Sequence, residues 1–471
     1  MMPKRDSGLK SLNLEDDTMI AGFAEREYTP EKGPVPGQIK IEYAEGKNTP
    51  LMAHAAVIES EGSGAAIVTL DIIFVSTRFA TKMRNRISEI TGYPYEQIMI
   101  ACSHTHTGCA MDVDCWEFRG DPENLVKVEA AIVDAVEAAY ASRSEIKIGV
   151  GTALDKRFNF CRDFYVEGGY IVMNPGKMYE GKILKPYAAI DSTVNVMRFD
   201  DMDGNAKCFA VNYANHLDTN RSKAKFDADF PGYMRRVLQA EYGEDVVVLF
   251  LNGCCANLNH IDFYAYTHKK SYCRPDVVPA EEIGKGLAET IKNMDPEIIT
   301  YEKDIHIQGR SRKHITTRRR ASEEQIAWAR ELTERKAAGE TIDLHSMLLA
   351  ELYLEDEKNP PASFVDFEIS VLQIGPWAIV GLPGEIYSDI GLKIKANSPY
   401  ANTIVVEIVN GYNGYVSPDV IQRSGCYEGR YSKVAYTGLG TEKVLKDGCE
   451  NMLNTLFDAD NIKYFGTLKQ M

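Results

Sequence analysis

The sequence predicts the α/β class: a large single domain over residues 1–471, with a mixed buried sheet covered by helices, an active site at the strand ends and a helical insertion at about 321–358. Three observations carry that expectation. Short apolar runs alternate with amphipathic stretches, as strands and their covering helices do. Residues able to do chemistry follow directly after several of the apolar runs. A charged helical pair interrupts the alternation, with no internal repeat or linker to mark a second domain. A chain of 471 residues also suits two to four ordinary domains, although large α/β domains reach this size.

The elements follow in order. AAIVTLDIIFVS (65–76) reads as a buried strand, and TRFATKMRNRISEI after it as a helix with a basic outer face. IMIACSH is a second strand, and the Ala- and Val-rich segment from Asn124 to Arg143 a second helix. TVNVMRF and CFAVNYANH read as paired strands. DFPGYMRRVLQAEYG opens with Asp229 near the N-cap and Pro231 in the first turn, and closes on Gly243, a good pair of start and stop signals. VVVLFLNG is a strand and AEEIGKGLAETIKNM a helix. In the insertion, ASEEQIAWARELTERKAAGE begins with a capping box of Ser322 and Gln325, and DLHSMLLAELYLEDEK is its partner helix. A lid and a solvated hairpin are both open to that pair. FVDFEISVLQIGPWAIVGLPGE and NTIVVEIVNGYNGYVS return to strands, and TEKVLKDGCENMLNTLF ends the domain as a helix.

Composition narrows the partners. With 44% hydrophobic residues the chain can bury a large core. A formal charge of −15 and a pI near 5.2 argue against nucleic acid and against an anionic membrane surface, since both need a basic face. MMPKRDSGLKSLNLEDD has no apolar stretch of the kind a secretory signal needs, and no long apolar run suggests a membrane span. The ten cysteines are scattered and form no CxxC pair. Free thiols and a cytoplasmic location are therefore expected. The expected partner is a small-molecule substrate, with homo-oligomerisation open.

IMIACSHTHTGCAMD (98–112) poses the chemical question, because two imidazoles stand two residues apart at the end of a buried strand. In extended backbone such side chains point to the same side, so His104 and His106 face one pocket if the strand continues through Ser103. Imidazole is a common metal ligand. Two polar residues bonded to loop backbone would have the same sequence, and so would a structural zinc site recruiting Cys102, Cys109 and Cys115. Three further strand ends follow the same plan: His216 after CFAVNYAN, Glu385 after WAIVGLPG, and Tyr412 and Tyr415 after IVVEIVNG. Open α/β sheets build their sites outside strand ends. Two His and one carboxylate make a zinc set, and catalytic zinc keeps a position open.

SHTHTG, NYANH, DFPGY, FLNGCCANLN, GLPGE and GYNGY followed by CYEGR occur here in the order of the neutral (non-lysosomal) ceramidase family, which the chain resembles. That family's versions are a THTHSGP-like stretch, a strand ending in His, a GE turn and a Tyr-rich segment ending in YEGG. The resemblance runs from AGFAEREYTP (21–30) to the C-terminus. It covers the family's zinc-bearing N-terminal domain, and the immunoglobulin-like C-terminal domain has no counterpart. It implies zinc held by His104, His216, Glu385 and Tyr415, with His106 as the active-site histidine beside the metal. Tyr427 resembles the tyrosine that contacts the substrate or the oxyanion. NFCRDF offers Arg162 for the family's arginine. Asn259 and Asp229 are assigned to substrate binding.

Two departures shape the expected reaction. Where the family carries a serine proposed as nucleophile, this chain carries Asn259, and the secretory signal expected of ceramidases is missing. The expectation is therefore a zinc-dependent hydrolase of an amide C–N bond in a small polar substrate, with zinc-bound water as nucleophile. His106 would serve as base and then acid, and Tyr427 would stabilise the oxyanion. A zinc lyase or isomerase of a carbonyl or sugar-acid substrate, and a binding protein without turnover, remain alternatives.

Overall fold

The structure is a computed structural model that describes residues 19–37, 39–113, 120–220, 222–263, 279–294, 299–301 and 305–468. The larger of its two main sheets contains β1 (Ile20–Glu27), β2 (Met52–Ser60), β3 (Ser63–Leu70), β4 (Ile98–Cys102), β5 (Ser144–Leu154), β6 (Thr193–Asp201), β7 (Ala206–Tyr213) and β8 (Val247–Asn252), in the order β8-β7-β6-β5-β1-β2-β3-β4. A short strand, Ile299–Tyr301, pairs with β5. β1 meets β5 only at Ser144 and Glu145, so the sheet has two limbs joined at that point. The second sheet orders β9 (Ile307–Thr317), β10 (Phe364–Ile374), β11 (Trp377–Leu382) and β12 (Asn402–Glu407) side by side. Both sheets are mixed, as the sequence predicts.

Side-chain alternation explains the layering. Val247, Leu249 and Leu251 join the apolar cluster shared by the two sheets, while Val248 and Phe250 face outward onto helices. The shared cluster takes Ile67 and Met99 from one limb, Ile148 and Met197 from the other, and Leu372, Ile379 and Ile404 from the second sheet. Helices close the outer faces. α1 (Thr77–Thr91) and α2 (Pro122–Ala141) cover the first limb, and α3 (Phe230–Tyr242) and α4 (Ala280–Met294) cover the second. α5 (Glu323–Ala337), α6 (Leu344–Lys358), α7 (Ser388–Ala396) and α8 (Thr441–Leu468) lie with the second sheet. The hairpin of α5 and α6 is anchored by buried Ala329, Leu332, Leu349 and Tyr353. Its capping box is formed, with Ser322 and Gln325 bonded reciprocally.

Three parallel strand pairs position the site. β3 and β4 are joined through α1, β7 and β8 through α3, and β11 and β12 through α7. Parallel pairing requires such crossovers, and it sends both strands of each pair out of the sheet at the same end.

One predicted strand is cut short. The apolar run 65–76 stops being a strand at Leu70, because the buried Asp71 carboxylate takes the Met52 amide at 3.0 Å and the Arg235 guanidinium at 3.2 Å. Residues 71–75 become a loop, and Ser76 caps α1 by accepting the Phe79 amide. The sequence reading also passed over β1, β2, β5 and β9, although in β5 Ile146, Ile148 and Val150 alternate with Lys147 and Gly149 as a strand signal should. The eight described cysteines are buried free thiols. Cys115 and Cys273 lie outside the described residues, as does the N-terminal segment 1–18. No described helix is long and apolar enough to cross a membrane.

Candidate metal centre

β4 ends at Cys102, and the backbone does not continue extended through the HTH segment. His104 has φ +74°, a left-handed conformation unusual for a residue with a side chain. The expected alternation is thus not what aligns the two imidazoles. The turn is instead clamped from both sides: the His104 amide donates to Ile72 O at 3.0 Å, and the His106 amide to Leu217 O at 3.0 Å. The rings of His104 and His106 still converge, with centroids 4.8 Å apart, and His216 joins them at 4.7 and 5.0 Å.

Each imidazole is oriented by a backbone carbonyl facing its Nδ1. His104 has Ile73 O at 3.1 Å, His106 has Gly37 O at 2.7 Å and His216 has Cys255 O at 3.4 Å. A carbonyl can only accept, so each Nδ1 is the protonated nitrogen and each Nε2 turns its lone pair inward. A Cβ on residue 37 would lie 2.3 Å from that of His106, so only glycine brings this carbonyl close enough. The inward Nε2 of His104 stands 3.3 Å from that of His216 and 3.4 Å from that of His106.

Glu385 completes the cluster. Its Oε2 lies 3.4 Å from His104 Nε2 and 3.9 Å from His216 Nε2, and this buried oxygen accepts no hydrogen bond. Oε1 accepts the Tyr412 hydroxyl at 2.7 Å. Tyr415 stands opposite Glu385 in the short parallel ladder of Glu385–Ile386 with Tyr415–Val416. Behind it, Arg162 donates to the Tyr415 hydroxyl at 3.2 Å and to Glu428 at 2.7 Å, all three being buried.

The electrostatics follow from burial and these contacts. Burial pushes His216 well below its usual pKa, helped by Arg162. Burial also brings His106 down to about 4, although the nearby Asp218 opposes it. Burial disfavours the charged form of His104 too, but the Glu385 carboxylate outweighs that and raises it. Glu385 itself is held at about 2 against burial by His104, Tyr415 and Tyr412.

A cation suits this donor set. Three nitrogen lone pairs lie within 4.8 Å of one another, and a buried carboxylate oxygen beside them lacks a donor. Ligands of a tetrahedral zinc, each about 2.0–2.1 Å from the ion, are about 3.3–3.4 Å apart. His104 has that separation from His216 and from Glu385. His106 matches it towards His104 as well, but it is only half-buried. Cys102 and Cys109 belong to the apolar core and take no part.

The cluster forms the floor of a cavity of about 530 Å³. Of the residues singled out from the sequence, His104, His106, Arg162, His216, Asn259, Glu385, Tyr415 and Tyr427 line it. Asn259 donates to Asn174 Oδ1 at 3.1 Å and accepts the Ile261 amide. Tyr427 packs between Tyr415 and His345. Asp229 does not line the cavity. It is buried at the start of α3, where it accepts the Thr219 hydroxyl at 2.7 Å and the Phe230 amide at 2.7 Å, so its carboxylate is committed to the fold. The sequence reading missed Asp218, His260, His345 and Arg430 in the cavity wall. Asp218 and His260 follow the HL and NLN of recognised motifs, a signal that was there to use. His345 comes from the hairpin and Arg430 from beyond the CYEG turn, and neither has a local signal.

The fold and the cluster define a class: a mixed α/β protein with a cavity at its strand ends whose nitrogen and oxygen donors could hold a metal ion. At the sequence level no family model and no curated protein matches the chain. Solved structures do share the fold. A neutral ceramidase from Pseudomonas aeruginosa superposes with a TM-score of 0.68 at 15% identity, covering 94% of this chain and 75% of that one. A ceramidase complexed with C2 superposes with a TM-score of 0.71 at 16% identity, covering 94% and 76%. The architecture is therefore the ceramidase fold.

Proposed function

We propose that this protein is a zinc-dependent hydrolase that cleaves the amide bond of a small polar substrate. The observation that carries the reading is the cluster of three inward-facing imidazole Nε2 atoms, two of which, on His104 and His216, stand 3.4 and 3.9 Å from a Glu385 oxygen that accepts no hydrogen bond. The ceramidase fold supports amide chemistry, and the charged and polar groups of the cavity wall, Arg162, Asp218, His260 and Arg430, support a substrate with polar groups of its own. In this reading His104, His216, Glu385 and Tyr415 hold the zinc. Zinc held there would supply Lewis-acid chemistry, polarising a carbonyl and acidifying water.

The side chains divide the remaining work. Burial keeps His106 neutral at pH 7, which is the form able to accept a proton. It takes the proton of the attacking water and passes it to the departing nitrogen, so that the products are a carboxylate and an amine. Asp218 faces His106 electrostatically and stabilises the imidazolium formed between those two transfers. Tyr427, on the cavity wall, donates to the oxygen of the tetrahedral intermediate. Arg162 acts behind Tyr415, fixing its hydroxyl. Asn259 orients substrate. The buried free thiols support a reducing, cytoplasmic compartment.

Metal analysis and amine-release assays on N-acyl compounds test this. Wild type should carry close to one equivalent of zinc, and His104→Ala and His216→Ala should lose most of it together with activity. His106→Ala should keep most of its zinc and lose on the order of a hundredfold or more in rate. Parent-rate turnover by His106→Ala, or a covalent acyl-enzyme trapped in the wild type, would sink the scheme.

A further inference from the structure

Two arginines line the cavity, and they differ in one respect. Arg162 is neutralised by Glu428 at 2.7 Å. Arg430 is half-buried in the same wall, yet among the described residues no carboxylate forms an ion pair or hydrogen bond with its guanidinium. Its field is felt locally, since it depresses the neighbouring His345 after burial has done so. In the ceramidase resemblance the same motif ends in YEGG, where this chain reads YEGR.

The backbone under Arg430 is held firmly. Its amide donates to Cys426 O at 2.7 Å, and Arg319 grips the preceding Gly429 carbonyl at 2.6 Å. On either side, Glu428 is paired with Arg162, and the Tyr431 carbonyl accepts the Tyr353 hydroxyl at 2.9 Å. A cation held part-way out of water without a partner is costly, and a guanidinium fork fits a carboxylate in bidentate fashion. We propose that the substrate bears a carboxylate and that Arg430 receives it, making the substrate class an N-acylated amino acid or a similar amido acid. A monoanion suits the wall better than a phosphate dianion, because Asp218 and Glu385 already contribute negative charge to the same cavity. The acyl-amide part of this statement rests on the proposed hydrolase reading, whereas the anion site does not.

The test measures binding and turnover separately. Calorimetric titration of the purified protein with N-acetylated amino acids, with the matching neutral carboxamides and with an N-acetylated amino phosphate would be run beside an amine-release assay on the same compounds. The free acids should bind wild type better than the carboxamides. Arg430→Gln should weaken the acids roughly tenfold to a hundredfold, the scale of one charge-assisted contact, and leave the carboxamides unchanged. Arg430→Lys should recover part of the loss. Circular dichroism would check the fold, which loses no internal bond in these variants. Arg430-dependent binding of the acids without any hydrolysis would keep the anion site and remove the amidase reading. Hydrolysis of carboxamides and acids alike, unaffected in Arg430→Gln, would keep the amidase reading and overturn the anion site. Failure of every acid to bind, or preference for the phosphate, would overturn it as well.

Discussion

His104 concentrates the backbone strain of the site. A left-handed conformation costs an L-residue roughly 1–2 kcal/mol, and at φ +74° it is tolerated because Ile72 O and Ile73 O engage both the amide and Nδ1. Such strain is common where a side chain must be aimed. Asp229 carries a similar φ of +60° but serves the fold. Burial pushes its carboxyl up to about 7, against the hydrogen bond from Thr219. Its folded pKa thus exceeds the unfolded value of about 3.9. The stability it contributes is full below about pH 4 and is lost as pH rises through about 7. Asp229→Asn, which keeps a capping oxygen, should flatten the fall in Tm across that interval and leave any bound metal unaltered. Thermal melts at a series of pH values read this directly, and parallel curves for parent and variant would show that the carboxyl stays ionised.

At the scale of elements, the three βαβ units each deliver part of the cluster. The first gives His104 and His106, the second His216, and the third Glu385 and Tyr415. Glu407, at the end of β12, ties two of the contributing loops together. It accepts the Cys255 amide at 3.0 Å, the Ile386 amide at 2.8 Å and the Cys255 thiol at 2.9 Å. One of those residues follows Glu385, and the other holds His216 through its carbonyl. If the cluster holds zinc as proposed, Glu407→Ala should weaken its binding by about 10–100-fold, the usual effect of losing a group that orients ligands. Competition with a chromophoric chelator measures this. Glu407→Gln, which retains an acceptor, should lose less, and an unchanged affinity in the alanine variant would mean the loops are fixed by other contacts. The hairpin of α5 and α6 belongs to the same scale, since it brings His345 to the cavity wall.

Across the whole molecule, the sheets are stitched together beside the site. Asn410 donates its amide to Ile100 O at 2.8 Å, accepts the Ile100 amide on Oδ1 at 2.9 Å, and donates from Nδ2 to Ser370 at 2.9 Å. It does so at φ +60°, a conformation asparagine tolerates better than most. Asn410→Ala would strand the buried Ile100 amide and keep the unfavourable φ. The expected loss is about 2–4 kcal/mol in urea denaturation. A change under about 1 kcal/mol would show that the sheets are held by their apolar contact alone.

The amino-acid sequence made legible the class of fold, the numbered strands of the two main sheets other than β1, β2, β5 and β9, most of the helices, and the strand-end positions of His104, His216, Glu385 and Tyr415. Those features are local: apolar periodicity, caps and the residue that follows a run. It also gave the nearness of His104 and His106, though not the reason, because φ at His104 depends on carbonyls some thirty residues away in the chain. The tertiary structure alone decided that three separate strand ends share one cavity, that Asp229 stays in the fold, and that Glu407 and Arg430 matter. Such facts rest on contacts between segments far apart in sequence, and no local pattern encodes which carboxylate finds a partner among the described residues and which guanidinium does not.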